Sequence, residues 1–538
     1  MKYLVYIGMV TIFVLLASCS DFLKEYSQDT YYITSYEDLD ELLVGDCYLP
    51  VQNSASSSNY GFFIHFLADE LEEQNSYYMA WGGSGVGRGG SGVGSLKGDV
   101  FGYYTWQQRV GQNDSYSGFL VENTTWTETY RLINVANNII ASVKDVPQNS
   151  NEEKLGALRV KGEAHFLRAA YYFWLANLYG KPYDPSTATT DPAVPIKTEE
   201  KVNDIKYTRN TLQEVYEQVL ADLEIAEECL SKTTHQSIYQ ADINAVHLLL
   251  SRVYLYMQNW KLAADYADKV LKANHYLIDL NSRKPYDGFL SKNSKEVLFS
   301  MGGNDVPCFF KYDYQNFRVA HELYDVYTED DLRKSQWWWK RNTFIGYTKI
   351  SLGPGVTGAL DPETDANFYN VEYNTGWYKQ QCEVSDKFLF RTAEAYLNKA
   401  EAAVYLDDED EARKQLNALR EKRYLDGSNY EVTEVGKDLV EVIREERRKE
   451  LALEGHRWFD LRRYGVCEKY PDSKQLTHKY TYYDSGASTQ MLETHVFTLE
   501  ANDAGYTLPI PQEVLDFNTG MINNERPWRE HTVTTPKD

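Results

Sequence analysis

The chain has 538 residues, with 79 acidic against 55 basic side chains and a net charge of −24. A hydrophobic share of 43% and a mean hydropathy of −0.54 describe a soluble globular body, three or four domain-sized units long or one large solenoid. Nucleic acid is excluded as a general partner because phosphate binding needs a cationic footprint, and adsorption to an anionic membrane surface is excluded on the same ground.

In chain order, Lys2 precedes an apolar run from Tyr3 to Ala17. It is shorter than the about 20 residues a membrane span needs and fits a secretory signal peptide. Leu16-Ala17-Ser18-Cys19 resembles a bacterial lipobox, so residues 1–18 are expected to be removed and Cys19 to be lipidated. Acyl chains bring about 0.8 kcal/mol per buried methylene, which tethers an otherwise soluble chain. The other cysteines, Cys47, Cys229, Cys308, Cys382 and Cys467, are scattered and contain no Cys-x-x-Cys pair. They form neither a disulfide framework nor a zinc site, and their pairing stays open.

Helical pieces are predicted at Tyr36 to Val44 and Phe62 to Glu73, followed by a Gly/Ser tract over 82–98. From Trp126 the period is helical; Leu155, Leu158, Ala164, Leu167, Tyr171, Trp174 and Leu178 share one face, and Gly180 and Pro182 end that helix. Residues 181–210 read as loop, and helices follow at about 211–230 and 241–257. At one constant offset Leu248 matches Leu397, Tyr256 matches Tyr405 and Ala263 matches Ala412. Each copy is a helix, a short turn (Gln258-Asn259 or Asp407-Asp408) and a second helix, the form of a tetratricopeptide unit. The fold class is therefore mostly α, with helical repeat pairs about 126–273 and 388–424. A loop-rich insertion at about 275–385 is where such a scaffold displays binding loops.

Motifs for chemistry are weak. Gly85-x-Gly87-x-x-Gly90 lacks the strand before and helix after that a dinucleotide site requires, no phosphate loop or nucleophile elbow is present, and the histidines are dispersed. No catalytic residue, cofactor or metal is assigned. A surface glycosidase would need two opposed carboxylates, and so acidic a chain offers no way to choose them. The stretch Glu441 to Arg463 is dense in both signs, and Glu445–Lys449 and Glu454–Arg457 have the spacing of local helical ion pairs. A ligand-binding arginine cluster is the alternative.

Aromatics carry the binding signal. Tyrosine occurs 44 times, more than 21 Phe and 11 Trp together, and a ring with a polar tip suits a wet, half-buried recognition surface. Tyr77, Tyr78 and Trp81 precede the Gly tract and Tyr103, Tyr104 and Trp106 follow it, with no period to mark them as core. They are candidate stacking residues for sugar rings. Trp337 and Trp339 are further candidates, sharing a strand face opposite Trp338, although burial is favoured for this triplet. Trp260, opening the second helix of a repeat pair, is assigned to packing.

Glu446-Arg447-Arg448-Lys449-Glu450-Leu451-Ala452-Leu453-Glu454-Gly455-His456-Arg457-Trp458-Phe459-Asp460-Leu461-Arg462-Arg463-Tyr464-Gly465 resembles the signature of the SusD/RagB-like outer-membrane lipoproteins of Bacteroidota. Glu163 to Ala169 running on to Gly180, Phe390-Arg391 through Glu394, Tyr396-Leu397-Asn398, Ala400-Glu401-Ala402 and Leu508-Pro509-Ile510-Pro511 are similar to its other motifs. The chain departs from the pattern at Asn518-Thr519 and Asn523-Asn524-Glu525. The resemblance covers most of the mature chain, with a C-terminal signature region at 436–538. It implies four tetratricopeptide-like helix pairs, a loop-rich ligand region and no catalysis. It also implies a lipid-anchored protein on the extracellular side of the outer membrane. Such a protein would capture oligosaccharide, or peptide in the RagB-like branch, for a SusC-like TonB-dependent transporter.

Overall fold

The computed structural model describes residues 33–50, 60–74, 96–201, 205–234, 237–283, 289–306, 309, 317–341, 344–349, 383–483 and 491–535. The expected signal peptide (1–18), Cys19, Cys308, Cys382 and the Gly/Ser tract up to residue 95 lie outside them.

The scaffold is a run of helices: α1 (Thr124–Ser142), α2 (Asn151–Tyr179), α3 (Leu212–Leu230), α4 (Ile243–Tyr256), α5 (Trp260–Ala273), α6 (Thr392–Tyr405), α7 (Glu409–Glu421), α8 (Gly436–Glu450) and α9 (Arg457–Gly465). From α1 to α7 each packs on the next, and α5 reaches across the insertion to α6. Capping boxes start α2 (Ser150 with Glu153) and α3 (Thr211 with Glu214), pairing amide groups that no helical carbonyl reaches. Most of α2 is buried all round, so it serves as the central post.

The internal repeat holds to the residue. Helices α4 and α6 start and stop at matching positions, and Gln258 and Asp407 in the turns both adopt left-handed backbone, φ 60° and 61°. The next residue in each, Asn259 or Asp408, caps the second helix by accepting from the amide of Leu262 or Glu411. Trp260 stacks on Tyr405 at 4.1 Å and 20°, joining the two copies. The packing role expected of Trp260 is the observed one.

The short elements differ more from expectation. Phe62 to Glu73 is a 3-10 turn, Phe62–Phe66, followed by strand β1 (Leu71–Glu73), because β1 finds a distant partner that local spacing does not reveal. The insertion carries β2 (Val297–Met301), β3 (Phe317–Val319), β4 (Trp338–Arg341) and β5 (Phe344–Tyr347). Antiparallel pairs join β1 to β3, β4 to β5, and β2 to β6 (Phe388–Arg391). A meander of β7 (Leu476–Tyr483), β8 (Met491–Leu499) and β9 (His531–Thr534) closes the C-terminal side. Cys47, Cys229 and Cys467 are unpaired and buried. No helix among the described residues is long and apolar enough to cross a membrane.

Candidate functional site

The charged stretch 441–463 is the first place to look for a ligand, and it turns inward. Glu450 receives Arg333, Arg391 and Arg423 at 2.6–2.9 Å, all of them buried. Glu454 pairs with Arg391 at 2.8 Å and with Lys349. Arg447 and Arg463 share Asp460, and they reach α6 through Asn398 and Glu401 at 2.7 and 2.5 Å. Arg457 and Arg448 meet at Asp69, Arg444 donates to Tyr405 and Tyr470, and Arg462 donates to the carbonyls of Asn177 and Gly180 at the end of α2.

The expectation of intramolecular pairing is right in kind and wrong in partner. Lys449 pairs with Glu446 and Asp331 rather than Glu445, and Arg457 with Asp69 rather than Glu454. Glu446 is still a local, i,i+3 partner, but the buried face of α8 also meets other elements, so the distant Asp331 and Asp69 supply the remaining partners. Gly455, at φ 75°, makes the turn that brings α9 back; a β-carbon there would lie 3.2 Å from the Asp386 carbonyl. Positive neighbours hold the Glu446 carboxyl down to about 2 and Glu450 well below the usual carboxylate range. These arginines are committed to the interior and do not form a ligand-binding cluster.

The aromatics after the Gly tract are likewise internal. Tyr103 stacks on Phe63 at 4.2 Å and 2°. Tyr104 and Trp106 both stack on His478, at 4.1 and 4.3 Å, and Trp106 Nε1 donates to the Leu67 carbonyl at 2.9 Å. All three are buried, so the stacking platform expected there is corrected to a packing cluster: each ring already stacks on a protein partner. Trp337 is buried against Phe289 and under the Lys349 ammonium, and Trp338 is buried beside Tyr347, which corrects Trp337 as a ligand contact. Trp339 sits in β4 opposite Gly346. Tyr77, Tyr78 and Trp81 lie outside the described residues. Much of the tyrosine surplus is core with a satisfied tip: Tyr48 donates to Glu163 at 2.6 Å, Tyr172 to the Lys197 carbonyl at 2.7 Å and Tyr327 to the Lys449 carbonyl at 2.8 Å.

Exposed aromatic surface appears instead where loop 109–122 meets the C-terminal segment. Phe119 is 53% exposed with the Arg109 guanidinium 3.7 Å above its ring, and Arg109 is held by Glu122 at 2.8 Å. Asn113 Oδ1 accepts from the amides of Ser117 and Gly118 and closes the loop, placing Tyr116 at φ 54°. The Tyr116 ring contacts Trp528 at 5.7 Å and 41°. Trp528 is 56% exposed because its flanks are anchored: buried Arg526 donates to the Thr507 carbonyl, and buried Arg529 pairs with Asp503 at 2.7 Å. Glu122 accepts from the amide of Gln512 at 3.0 Å, tying the two segments together. Flat apolar faces bordered by hydroxyls and charge can stack on the C–H face of a sugar ring while its hydroxyls find polar partners. Sequence reasoning missed Trp528 and Phe119; the departure from the family pattern at Asn523-Asn524-Glu525 was the nearest signal. Those asparagines make the last contacts themselves, Asn523 accepting from the Ile510 amide and Asn524 donating to the carbonyls of Tyr179 and Leu508. Among the described residues no group of three or more His, Cys, Asp or Glu could hold a metal.

Residues 311–528 match the SusD family, and residues 78–255 match a family described as starch-binding, associating with outer membrane. SusD-like protein P38 of Formosa agariphila is 26% identical over 382 residues, 63% of this chain and 72% of that protein. SusD-like protein P2 of the same organism is 27% identical over 380 residues, 63% of this chain and 70% of that protein. Among solved structures, a SusD superfamily protein from Bacteroides thetaiotaomicron superposes with a TM-score of 0.64 at 22% identity, covering 92% of this chain and 100% of that one. A SusD-like carbohydrate binding protein from Bacteroides vulgatus gives 0.64 at 21%, covering 91% and 97%. The two family matches between them span most of the chain, and the helical scaffold is shared: in sequence and fold the chain is similar to the SusD/RagB-like family.

Proposed function

We propose that this chain is a non-catalytic lipoprotein, anchored through Cys19 on the outer face of the outer membrane. Its role would be to capture oligosaccharide or polysaccharide and pass it to a SusC-like TonB-dependent transporter. The observation that carries the reading is the exposed Trp528, resting on half-buried Tyr116, beside the Arg109-covered and exposed Phe119: two aromatic rings with no internal role to explain their exposure. Tyr77, Tyr78, Trp81 and Trp339 belong to the same reading as proposed stacking residues. The family described as starch-binding, and a solved neighbour described as a surface glycan-binding protein of Bacteroides fluxus, support glycan as the ligand class.

The test is a binding screen of the purified protein against polysaccharides and peptides, with release of reducing ends followed in parallel. Glycan binding that falls about tenfold in Trp528→Ala, with unchanged thermal stability, is the expected result, matching about 1.4 kcal/mol for one lost stacking contact. Peptide binding alone would move the protein to the RagB-like branch, and hydrolysis would make it a glycosidase. Co-purification with the transporter from detergent-solubilised outer membranes checks the partner.

A further inference from the structure

A cleft of about 610 Å3 opens at the C-terminal end of α2, between the loop after that helix, the end of α9 and residues 502–507 and 523–525. Its volume lies within the roughly 300–1,000 Å3 of small-molecule sites. Tyr506 forms part of the wall and is fixed by stacking on buried Trp458 at 5.1 Å and 20°. Several charges in the lining are already neutralised within the protein: Asp191 holds Lys181 and the Thr187 hydroxyl at 2.7 and 2.6 Å, and Asp503 holds Arg529. Arg462, buried in the wall, gives its terminal nitrogens to the carbonyls that end α2, while its Nε has no partner.

Three lining groups keep hydrogen-bonding capacity. Asp184 uses one carboxylate oxygen, Oδ1, for the Ser186 amide and hydroxyl, leaving Oδ2 unused. The Asn502 side-chain amide and the Glu525 carboxylate line the cleft and make no hydrogen bond within the described residues. Asn502 is held in left-handed backbone at φ 61°, its own amide donating to Ser473 at 2.8 Å, so the side chain is presented from a fixed turn. Free carboxylates accept from paired hydroxyls and repel anions, and the net charge of −24 adds to that repulsion.

We infer that this cleft is a second saccharide site, taking a neutral, hydroxyl-rich oligosaccharide segment and rejecting uronates and sulfated sugars. The inference rests on the glycan-capture reading. Glu525 and Trp528 are three residues apart, at most about 10 Å along the chain, so one long glycan can touch the aromatic surface and enter the cleft.

The experiment is calorimetric titration of the detergent-solubilised full-length protein with maltohexaose, cellohexaose, xylohexaose and hexagalacturonate. It compares the native chain with Asp184→Ala/Asn502→Gly and, separately, Trp528→Ala. Glycine keeps the left-handed turn, and both cleft positions are at least partly exposed, so the fold is retained; circular dichroism checks this. The expected result is that at least one neutral hexaose binds, that the cleft double variant weakens it about tenfold, and that hexagalacturonate is not bound. Slower amide exchange over 502–507 on adding that hexaose is expected as well. A neutral hexaose bound equally by the native chain and the cleft variant, with exchange over 502–507 unchanged, overturns the cleft and leaves the aromatic surface standing. Cleft-dependent binding of hexagalacturonate overturns the ligand class. Binding of none of the four overturns the glycan reading and the cleft with it.

Discussion

Glu450 takes three guanidinium groups in the interior, and the cost of losing it separates buried from exposed charge in this protein. Replacing it by Gln leaves Arg333, Arg391 and Arg423 short of a counter-charge where water cannot substitute, so Glu450→Gln should lose about 3–5 kcal/mol in urea unfolding. The exposed i,i+4 pair of Lys261 and Asp265 has solvent as its alternative, and Asp265→Ala should stay within about 0.5 kcal/mol of the native chain. The same contrast explains which aromatic residues were legible. Burial within the Trp337-Trp338-Trp339 triplet could be favoured from its strand-like apolar pattern, but not which rings are buried: Trp337, a candidate ligand contact by that pattern, is core together with Trp338. Trp528 could not be read as exposed, because what holds it out is the anchoring of Arg526 and Arg529 to Thr507 and Asp503, which is not a local pattern. Tyr103, Tyr104 and Trp106 misled for the reverse reason: their stacking partners, Phe63 and His478, are distant in sequence.

Between elements, close approach matters more than propensity. Gly162 lies within α2, where Ala would ordinarily add about 1 kcal/mol of helix stability. A β-carbon at that position would sit 2.7 Å from Leu230 Cγ and 2.9 Å from Cys229 Cβ on α3, so the two helices would have to separate. Gly162→Ala should therefore destabilise by about 1–3 kcal/mol despite the better helix former, measured as a lower urea midpoint with unchanged slope. A midpoint equal to or above the native value would show that α2 and α3 can repack. The repeat itself was readable because it is written locally, as matching helix lengths, caps and turn residues. The signature motifs were readable for a related reason. His165 and Arg168 meet Asp222 on α3, and Arg447 and Arg463 meet Asn398 and Glu401 on α6, so these residues join helices. Motifs that hold a scaffold identify the scaffold; they carry nothing about the ligand, which is why the family was legible and the binding surface was not.

At the scale of the whole molecule the acidity acquires a consequence that composition alone did not provide. Positive partners hold Asp69, Asp222, Glu446, Glu450 and Asp460 below their unfolded pKa values, Glu446 at about 2 against 4.5. A carboxylate depressed in the folded state contributes stability that is fully present above the unfolded value and is lost as pH falls through the folded one. Burial raises Glu70 and Glu163 instead, and these two act in the opposite direction because the folded state takes up their protons first. Relief of repulsion among the net −24 also favours the folded state as the pH drops from 7 toward 5. The depressed group is the more numerous; Asp222 joins α2 to α3 and the other four tie α8 and α9 to the rest of the body, so it should dominate below about pH 4.5. Burial also holds His456 well below its unfolded value and His478 at about 4 against 6.5, so the unfolded state takes up their protons first; the urea midpoint should begin to fall between pH 7 and 5 and continue falling toward pH 3. In Glu450→Gln, whose network is already broken, the acid slope should be shallower. An equal acid slope in that variant would place the proton-linked stability outside the Glu450 network and assign it to the surface carboxylates.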